Sequence, residues 1–135
     1  MDQLNWLAIG IAAVLHFLLG WLWYSPKVFG KLWMVSIGLD PKDCEGEKKG
    51  MAKAMIVCLI SCLLVAISTV HLIGAFHAVS IKNAIHLLAC PAIGFIAAPI
   101  AMGIEFEKRK WNYWWITTGY IWAGILIAIV AAFNF

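Results

Sequence analysis

Residues 54–81 read AMIVCLISCLLVAISTVHLIGAFHAVSI and contain no Asp, Glu, Lys or Arg. A helix needs about 20 apolar residues to cross the hydrocarbon core of a bilayer, so this stretch is long enough to span one. In hydrocarbon every backbone amide must be hydrogen-bonded within the protein, which leaves helices and closed barrels as spanning structures. Barrel strands would be about half as long and would alternate in polarity. The stretch therefore predicts a membrane-spanning helix.

Three further stretches without charged residues surround it. They are residues 3–26, 83–104 and 111–135. Only 13% of the chain is charged, whereas about a quarter of an ordinary soluble domain is. We expect an all-α fold, an integral membrane four-helix antiparallel bundle that forms a single domain over residues 1–135 and has the lipid bilayer as a partner. The expected spans are residues 5–24, 54–76, 84–104 and 113–134.

The basic residues indicate how the spans are oriented. With four spans, the connections 25–53 and 105–112 share one side, and they hold nine of the ten Lys and Arg residues. Lys82 alone lies on the opposite side. By the positive-inside rule, both connections are expected in the cytoplasm and both termini outside, in the periplasm.

The connection 25–53 begins with a pattern typical of a short helix. Ser25 can act as an N-cap, Pro26 suits the first helical position, and Gly38 suits a C-terminal stop. Phe29 and Trp33 fall on one face of such a helix. We interpret this segment as a short amphipathic helix on the inner leaflet, with a simple juxtamembrane turn as the alternative.

Small residues recur every four positions on each span, and such stripes let membrane helices approach closely. The stripes are Ala8, Ala12, His16 and Gly20; Ala54, Cys58, Cys62 and Ala66; Cys90, Gly94 and Ala98; and Gly124, Ala128 and Ala132. Pro91 and Pro99 are expected to kink the third span, because each removes a backbone donor. A broken helix of this kind fits either a transport path or ordinary packing.

His16 is the main candidate for a functional group inside the membrane. It lies near the middle of the first span, where ionisable residues are costly and usually face the protein interior. One interpretation is a proton relay or a ligand contact. The other is a neutral imidazole that is hydrogen-bonded to Thr69 or Ser68 of the second span.

Sulfur atoms follow one face of the second span. Met51, Met55, Cys58 and Cys62 recur at helical spacing, and soft ligands of this kind select Cu(I). Met and Cys are also ordinary fillers of irregular cores, and Lys53 at the end of the row disfavours a cation path. Copper therefore remains a weak alternative, and we expect neither a metal nor a cofactor.

Charged groups gather after the third span. Glu105 and Glu107 lie beside Lys108, Arg109 and Lys110, and such clusters usually solvate a helix end or form weak ion pairs. Phosphate-loop, zinc-protease and serine-hydrolase motifs are absent from the sequence, so we expect no enzyme activity. The sequence also gives no support for nucleic-acid binding.

Several segments together resemble a known family. They are Asn5-Trp6, Trp23-Tyr24-Ser25-Pro26, Phe29-Gly30, Trp33-Met34, Gly38, Phe106-Glu107, Arg109 and Gly119-Tyr120. The chain resembles, over nearly its whole length, the small bacterial membrane proteins called domain of unknown function 1761. The resemblance implies a four-helix protein of the bacterial inner (plasma) membrane without an assigned activity. It also draws attention to a cytoplasmic cluster made of Tyr24, Ser25, Pro26, Phe29, Glu105, Glu107 and Arg109.

Within this cytoplasmic cluster we expect Glu107 or Arg109 to dock on the turn at Ser25 and to lock the two connections together. Four short helices scarcely enclose a hydrated path alone. The first functional hypothesis is therefore a small transporter or channel-like protein that works as a homo-oligomer. The alternative is a structural or accessory subunit of a larger membrane complex, or a lipid-organising protein.

Overall fold

The computed structural model describes residues 4–40, 42 and 51–135, without the side chain of Met51. In these residues the chain is helical or irregular and contains no strand, which confirms the all-helical prediction. The elements are α1 (Trp6–Trp23), α2 (Gly30–Ser36), α3 (Met51–Ala75), α4 (Ile81–Pro91), a π-helical segment (Ala92–Ala97), α5 (Ala98–Glu107) and α6 (Trp111–Asn134).

Four helices are long and apolar enough to cross a membrane. They comprise Trp6–Trp23, Ala52–Ala75, Ile81–Glu107 and Trp111–Asn134. The helix Ile81–Glu107 joins α4, the π-helical segment and α5, and is called the third span below. It begins and ends outside the predicted 84–104, because its first and last turns carry charged residues that need not lie in hydrocarbon.

Side chains and left-handed residues mark the helix ends. The Asn5 side chain accepts a hydrogen bond from the Ala8 amide at 3.1 Å and so caps α1. Ser80 caps α4 in the same way by accepting from the Asn83 amide at 3.2 Å. Both caps satisfy amides that have no partner within the first turn of a helix. At the other end of the third span, Lys108 adopts a left-handed conformation with φ 57° and ends α5.

The short helix α2 begins later than its sequence pattern predicts. Its N-cap position is Phe29, and the prediction that Ser25 caps a helix with Pro26 in its first turn is wrong. The Ser25 carbonyl instead accepts from the amides of Val28 (3.1 Å) and Gly30 (2.9 Å), which folds residues 25–30 into a turn. In a helix capped by Ser25, the Ser25 carbonyl would accept the first hydrogen bond of the helix. Because the turn uses this carbonyl, the helix begins later.

The predicted stop at Gly38 is confirmed. Gly38 has φ 82°, a conformation that costs glycine little because it has no Cβ. The amide of Leu39 donates to the Met34 carbonyl at 2.9 Å, and the Gly38 amide donates to the Val35 carbonyl at 3.2 Å. These two bonds form the Schellman motif that commonly closes a helix.

Helices α1, α3 and α6 pack against one another and form the core of the molecule. Their contact is lined mainly by alanines, which let the helix backbones come close in the absence of a hydrophobic drive between helices in lipid. The buried residues of this core are Ala8, Ile9, Ala12, Ala13, Ala66, Val70, Ala128 and Ala131. The predicted stripe on α1, from Ala8 to Gly20, is fully buried, which confirms that prediction.

The third span packs on α6 along its whole length, whereas its main contact with α3 is through α4. A second buried cluster, made of Ile73, Ala84, Leu88 and Ile129, lies where α4 meets α6 and the end of α3. Helix α6 is thus in contact with every other helical element of the described chain.

The two prolines of the third span bracket the π-helical segment Ala92–Ala97. Each proline lacks a backbone donor, and a π-helical turn takes one more residue than an α-helical turn, which rotates the residues that follow it. The buried positions Ala84, Leu88, Ala92 and Ala97 accordingly change from steps of four to a step of five. The predicted stripe of Cys90, Gly94 and Ala98 is exposed, so that prediction is wrong.

Candidate functional site

The His16 side chain lies in the core between α1 and α6 and is 3% exposed. Its imidazole ring covers Gly124 so closely that a Cβ atom at that position would overlap the ring atoms. Glycine at position 124 therefore provides the space that the imidazole fills. The expectation that His16 faces protein rather than lipid is met.

Tyr120 of α6 lies over a glycine of α1, just as His16 of α1 lies over a glycine of α6. Its Oη atom lies 2.5 Å from the point that a Cβ atom would occupy on Gly20. The rings of Tyr120 and His16 are 4.5 Å apart between centroids. Each helix therefore contributes one ring and one glycine, four residues apart, and the two sets interlock. We call His16, Gly20, Tyr120 and Gly124 the interlocked set.

A hydrogen-bond chain joins this set to α3. The Tyr120 hydroxyl donates to the His16 carbonyl at 3.2 Å, and it lies 3.4 Å from the Cys62 Sγ atom. Because the phenol has one hydrogen, the thiol acts as donor when the phenol donates to His16. The chain thus connects α1, α6 and α3 at the depth where the interlocked set lies.

The imidazole itself has no hydrogen-bond partner among the described residues at either Nδ1 or Nε2. The predicted bond to Thr69 or Ser68 is therefore not formed. Thr69 is buried and Ser68 is exposed on the side of α3 that faces the third span. A polar group that is buried without a hydrogen-bond partner lowers the stability of the folded protein by about 1–3 kcal/mol. The His16 imidazole therefore destabilises the core in this conformation.

Aromatic rings assemble at the end of α1 nearest the two basic connections. The tilted rings of Trp23 and Phe29 lie 4.8 Å apart between centroids, and Tyr24 contacts Trp33 at 5.6 Å and Tyr120 at 5.3 Å. The Trp23 indole also donates to the Ile116 carbonyl of α6 at 3.1 Å. These contacts fix the turn that follows α1 against α6.

Glycine is required in that turn. A Cβ atom on Gly30 would overlap the Tyr24 carbonyl oxygen and would lie 2.8 Å from the Ser25 carbonyl carbon. The Ser25 hydroxyl is buried without a hydrogen-bond partner in the described chain, and Pro26 is exposed. Of the predicted cytoplasmic cluster, the structure thus brings together Tyr24, Ser25 and Phe29.

The charged members of the predicted cluster do not reach this turn. Arg109 forms an ion pair with Glu107 and places its guanidinium 4.8 Å from the centre of the Tyr113 ring. Glu105 is exposed. The two connections are instead joined by the Lys110 amide, which donates to the Ser36 carbonyl of α2 at 3.4 Å. The expected docking on Ser25 is not present among the described contacts.

The described sulfur-containing side chains of the row predicted on α3 are buried at one end and exposed at the other. Cys62 is buried against Tyr120 and Cys58 is partly buried, whereas Met55 is 39% exposed. The side chain of Met51 lies outside the described part of the chain. Within the described residues, no group of three or more His, Cys, Asp or Glu side chains could hold a metal ion.

Two indole groups attach the third span to α6. Trp114 donates to the Ala97 carbonyl at 2.8 Å and Trp122 to the Ala92 carbonyl at 3.4 Å, the two ends of the π-helical segment. The sequence analysis did not predict these two contacts. The available signal was a pair of indole N–H donors on α6, next along the chain to a helix that contains two prolines.

Sequence reasoning also missed the role of Tyr120. The signal was its spacing: Tyr120 precedes Gly124 by four residues, as His16 precedes Gly20. Tyr120 also stands in one of the segments that carry the family resemblance. A ring and a glycine at matching spacing on two helices can interlock only if the helices run in opposite directions.

The four apolar helices and their length identify the chain as a membrane protein with several helices of spanning type. It belongs to the family described as protein of unknown function (DUF1761), whose sequence profile matches residues 7–132. The resemblance stated from the sequence is thereby confirmed. No curated protein and no solved structure matches the chain.

Proposed function

We propose that this protein is a small transporter or channel-like protein of the bacterial inner membrane that works as a homo-oligomer. The observation that supports this proposal is the buried imidazole of His16. Ionisable side chains inside membrane spans are costly, and they commonly mark ion or proton pathways. Both nitrogens of the imidazole lack a hydrogen-bond partner in the described chain and are available to a proton or a solute. Tyr120 lies beside the ring, and Cys62 lies beside the Tyr120 hydroxyl.

The burial of His16 limits how a path could reach it. Its side chain is 3% exposed in the contact between α1 and α6. Four clefts of the described chain are lined by α2, α3, the third span, α6 and the segment 107–110, and α1 lines none of these four. A hydrated path past His16 therefore needs a movement of the core helices.

For the orientation we propose cytoplasmic connections and periplasmic termini. The support is the charge distribution, with nine of ten basic residues in the two connections. A membrane-impermeant amine reagent applied to spheroplasts tests it. We expect modification of Lys82 and protection of Lys108. The reverse pattern would contradict the proposed orientation.

Proton flux into proteoliposomes, followed with an enclosed pH-sensitive dye, tests the transport proposal. We expect a flux that is lost in His16→Gln, a variant that keeps a polar side chain of similar size. His86→Gln is the matched control, because His86 is exposed and bonds the carbonyl of Lys82 in its own helix. Equal flux in wild type, His16→Gln and His86→Gln would remove His16 from any pathway.

A structural or accessory subunit of a larger membrane complex is the second candidate, and the interlocked set favours it. The His16 ring is enclosed by Gly124 and Tyr120 in a way that suits packing as well as chemistry. For this candidate we expect no flux and a stoichiometric membrane partner that stays bound in mild detergent. Purification as a homo-oligomer alone, with a saturable flux, would favour the first candidate.

A further inference from the structure

Four residues of the described chain bury a side-chain nitrogen or oxygen atom that has no hydrogen-bond partner. They are His16, Ser25, Thr117 and Thr118. Buried polar groups are normally paired with protein or with ordered water, so each unpaired one calls for an explanation. Thr118 shares a helix face with Trp114 and Trp122, whose indoles bond the third span. The other three belong to the contact between α1 and α6.

These three residues occupy one half of that contact. His16 lies against Gly124, and the Trp23 indole bonds the Ile116 carbonyl at 3.1 Å nearer the two basic connections. Thr117 follows Ile116 and precedes Gly124 by seven residues, which is about 10 Å of helix. We call the side of the membrane that holds residues 25–53 and 105–112 the connection side. The unpaired threonine hydroxyl is thus near the connection side, and the unpaired imidazole is deeper.

Polar side chains also connect these two levels. Tyr24 lies beside Thr117, and its ring is 5.3 Å from the Tyr120 ring between centroids. The Tyr120 ring in turn lies 4.5 Å from the His16 ring, and its hydroxyl lies 3.4 Å from the Cys62 Sγ atom. Neighbouring polar side chains therefore lead from the connection side to the imidazole.

The opposite half of the core has no such series. Its buried side chains are those of Ala8, Ile9, Ala12, Ala13, Ala66, Val70, Ala128 and Ala131. Thr69 is buried at this level of α3, but it lines the cleft towards the third span. If the helices separated in this half, water would meet apolar side chains alone. If they separated on the connection side, water would pair with groups that have no partner, as buried waters commonly do.

We propose that water and protons reach His16 from the connection side alone, along the hydroxyls of Ser25 and Thr117, when the turn that follows α1 moves away from α6. A hydronium ion on this route transfers its proton to an imidazole nitrogen and leaves as water, and the proton returns by the same route. This inference rests on the proposed function, for which it supplies the side from which His16 is protonated.

Few other groups compete with His16 for the proton. The titratable side chains that face it are Tyr120 of α6 and, beyond the phenol, Cys62 of α3. Helices α1 and α6 contain no Asp, Glu, Lys or Arg, and α3 carries Lys53 in its first turn. The imidazole is thus the basic group at the inner end of the route.

Silver ions test the route, because they are hydrophilic and bind thiols as soft metal ions do. Right-side-out and everted membrane vesicles are exposed to silver nitrate, and the free thiols are then alkylated after denaturation. Mass spectrometry measures the alkylation of each cysteine, and amine labelling of Lys108 or Lys82 shows which side faces the solution. We expect silver on the Lys108 side to prevent alkylation of wild-type Cys62 and of Thr117→Cys, and silver on the Lys82 side to leave both alkylated.

Ala131→Cys is the matched control. Ala131 follows Gly124 by seven residues, as Thr117 precedes it by seven, and it is 3% exposed in the opposite half of the core. We expect full alkylation of Ala131→Cys with silver on either side. Elution profile and thermal unfolding establish that both variants are folded. Wild-type Cys62 needs no substitution and decides the question if Thr117→Cys does not fold.

Two results would overturn the inference. One is full alkylation of wild-type Cys62 with silver on either side, or its protection from the Lys82 side. The other is protection of Ala131→Cys from the Lys82 side. The flux assay is separate from this test. Protection of Cys62 from the Lys108 side without proton flux removes the transport proposal and keeps the route, whereas flux that depends on His16 with unprotected Cys62 does the reverse.

Discussion

The hydroxyl of Tyr120 stands 2.5 Å from where a methyl group on Gly20 would begin. Across the same contact, the imidazole of His16 covers Gly124. Since the ring and the glycine are four residues apart on both helices, the arrangement requires α1 and α6 to be antiparallel. It also makes the two glycines as necessary as the two rings.

We expect Gly20→Ala to destabilise the protein. The added methyl group would meet the Tyr120 hydroxyl, and overpacking of a well-packed core costs about 1–3 kcal/mol. The measurement is the midpoint of thermal unfolding in detergent. Gly10→Ala is the control, because no atom lies within 4 Å of the methyl group it would add on the same helix. Equal midpoints for the two variants would contradict the interlocked packing.

Tyr120→Phe is expected to weaken the attachment of α3 to the core. The change removes the hydroxyl that bonds both the His16 carbonyl and Cys62, and hydrogen bonds between membrane helices contribute about 0.6 kcal/mol each and at most about 1.7. A double-mutant cycle with Cys62→Ala measures the coupling between the two side chains. Strictly additive effects would show that the thiol and the phenol do not interact.

Trp114→Phe is expected to loosen the second half of the third span. It removes the indole donor to the Ala97 carbonyl and keeps an aromatic ring in its place. Hydrogen–deuterium exchange in peptides that cover residues 92–107 is expected to become faster. Trp21→Phe provides the comparison, since Trp21 is 74% exposed on α1. Unchanged exchange in Trp114→Phe would mean that the indole does not hold the span.

Glu107→Gln is expected to change stability by less than about 1 kcal/mol, because its partner Arg109 is two residues away and both side chains are partly open to solvent. Thermal unfolding at low and high salt measures it. A large loss of stability, abolished at high salt, would point to the docking on Ser25 that the sequence suggested.

The fold could be predicted from the sequence because solvation by lipid depends on composition and length alone. Residues 54–81 cannot place their backbone in hydrocarbon except as a helix, whatever their neighbours are. The stop at Gly38 was predicted for a similarly local reason, since it depends on one backbone conformation.

The packing of the third span could not be predicted in the same way. Pro91 and Pro99 indicated an irregular helix, but not that a π-helical segment would add a residue to one turn. That addition moved the buried position after Ala92 from residue 96 to Ala97. Cys90 lies before the segment and is off the contact face in any case, because Ala84, Leu88 and Ala92 form that face.

The partner of His16 was missed for a related reason. Spacing within α1 shows which face is buried, but it does not show which helix that face meets. The expected hydrogen-bond partners, Thr69 and Ser68, lie on α3. The face of His16 lies instead against α6, more than 100 residues away.

The position of α6 in the order of synthesis has a consequence for biogenesis. A ribosome releases α1, α3 and the third span before it completes α6, yet α6 is the element on which all of them pack. The third span therefore lacks its principal neighbour until translation has passed residue 134. Assembly of the third span has to wait for that point, whereas α1 and α3 can pack on each other earlier.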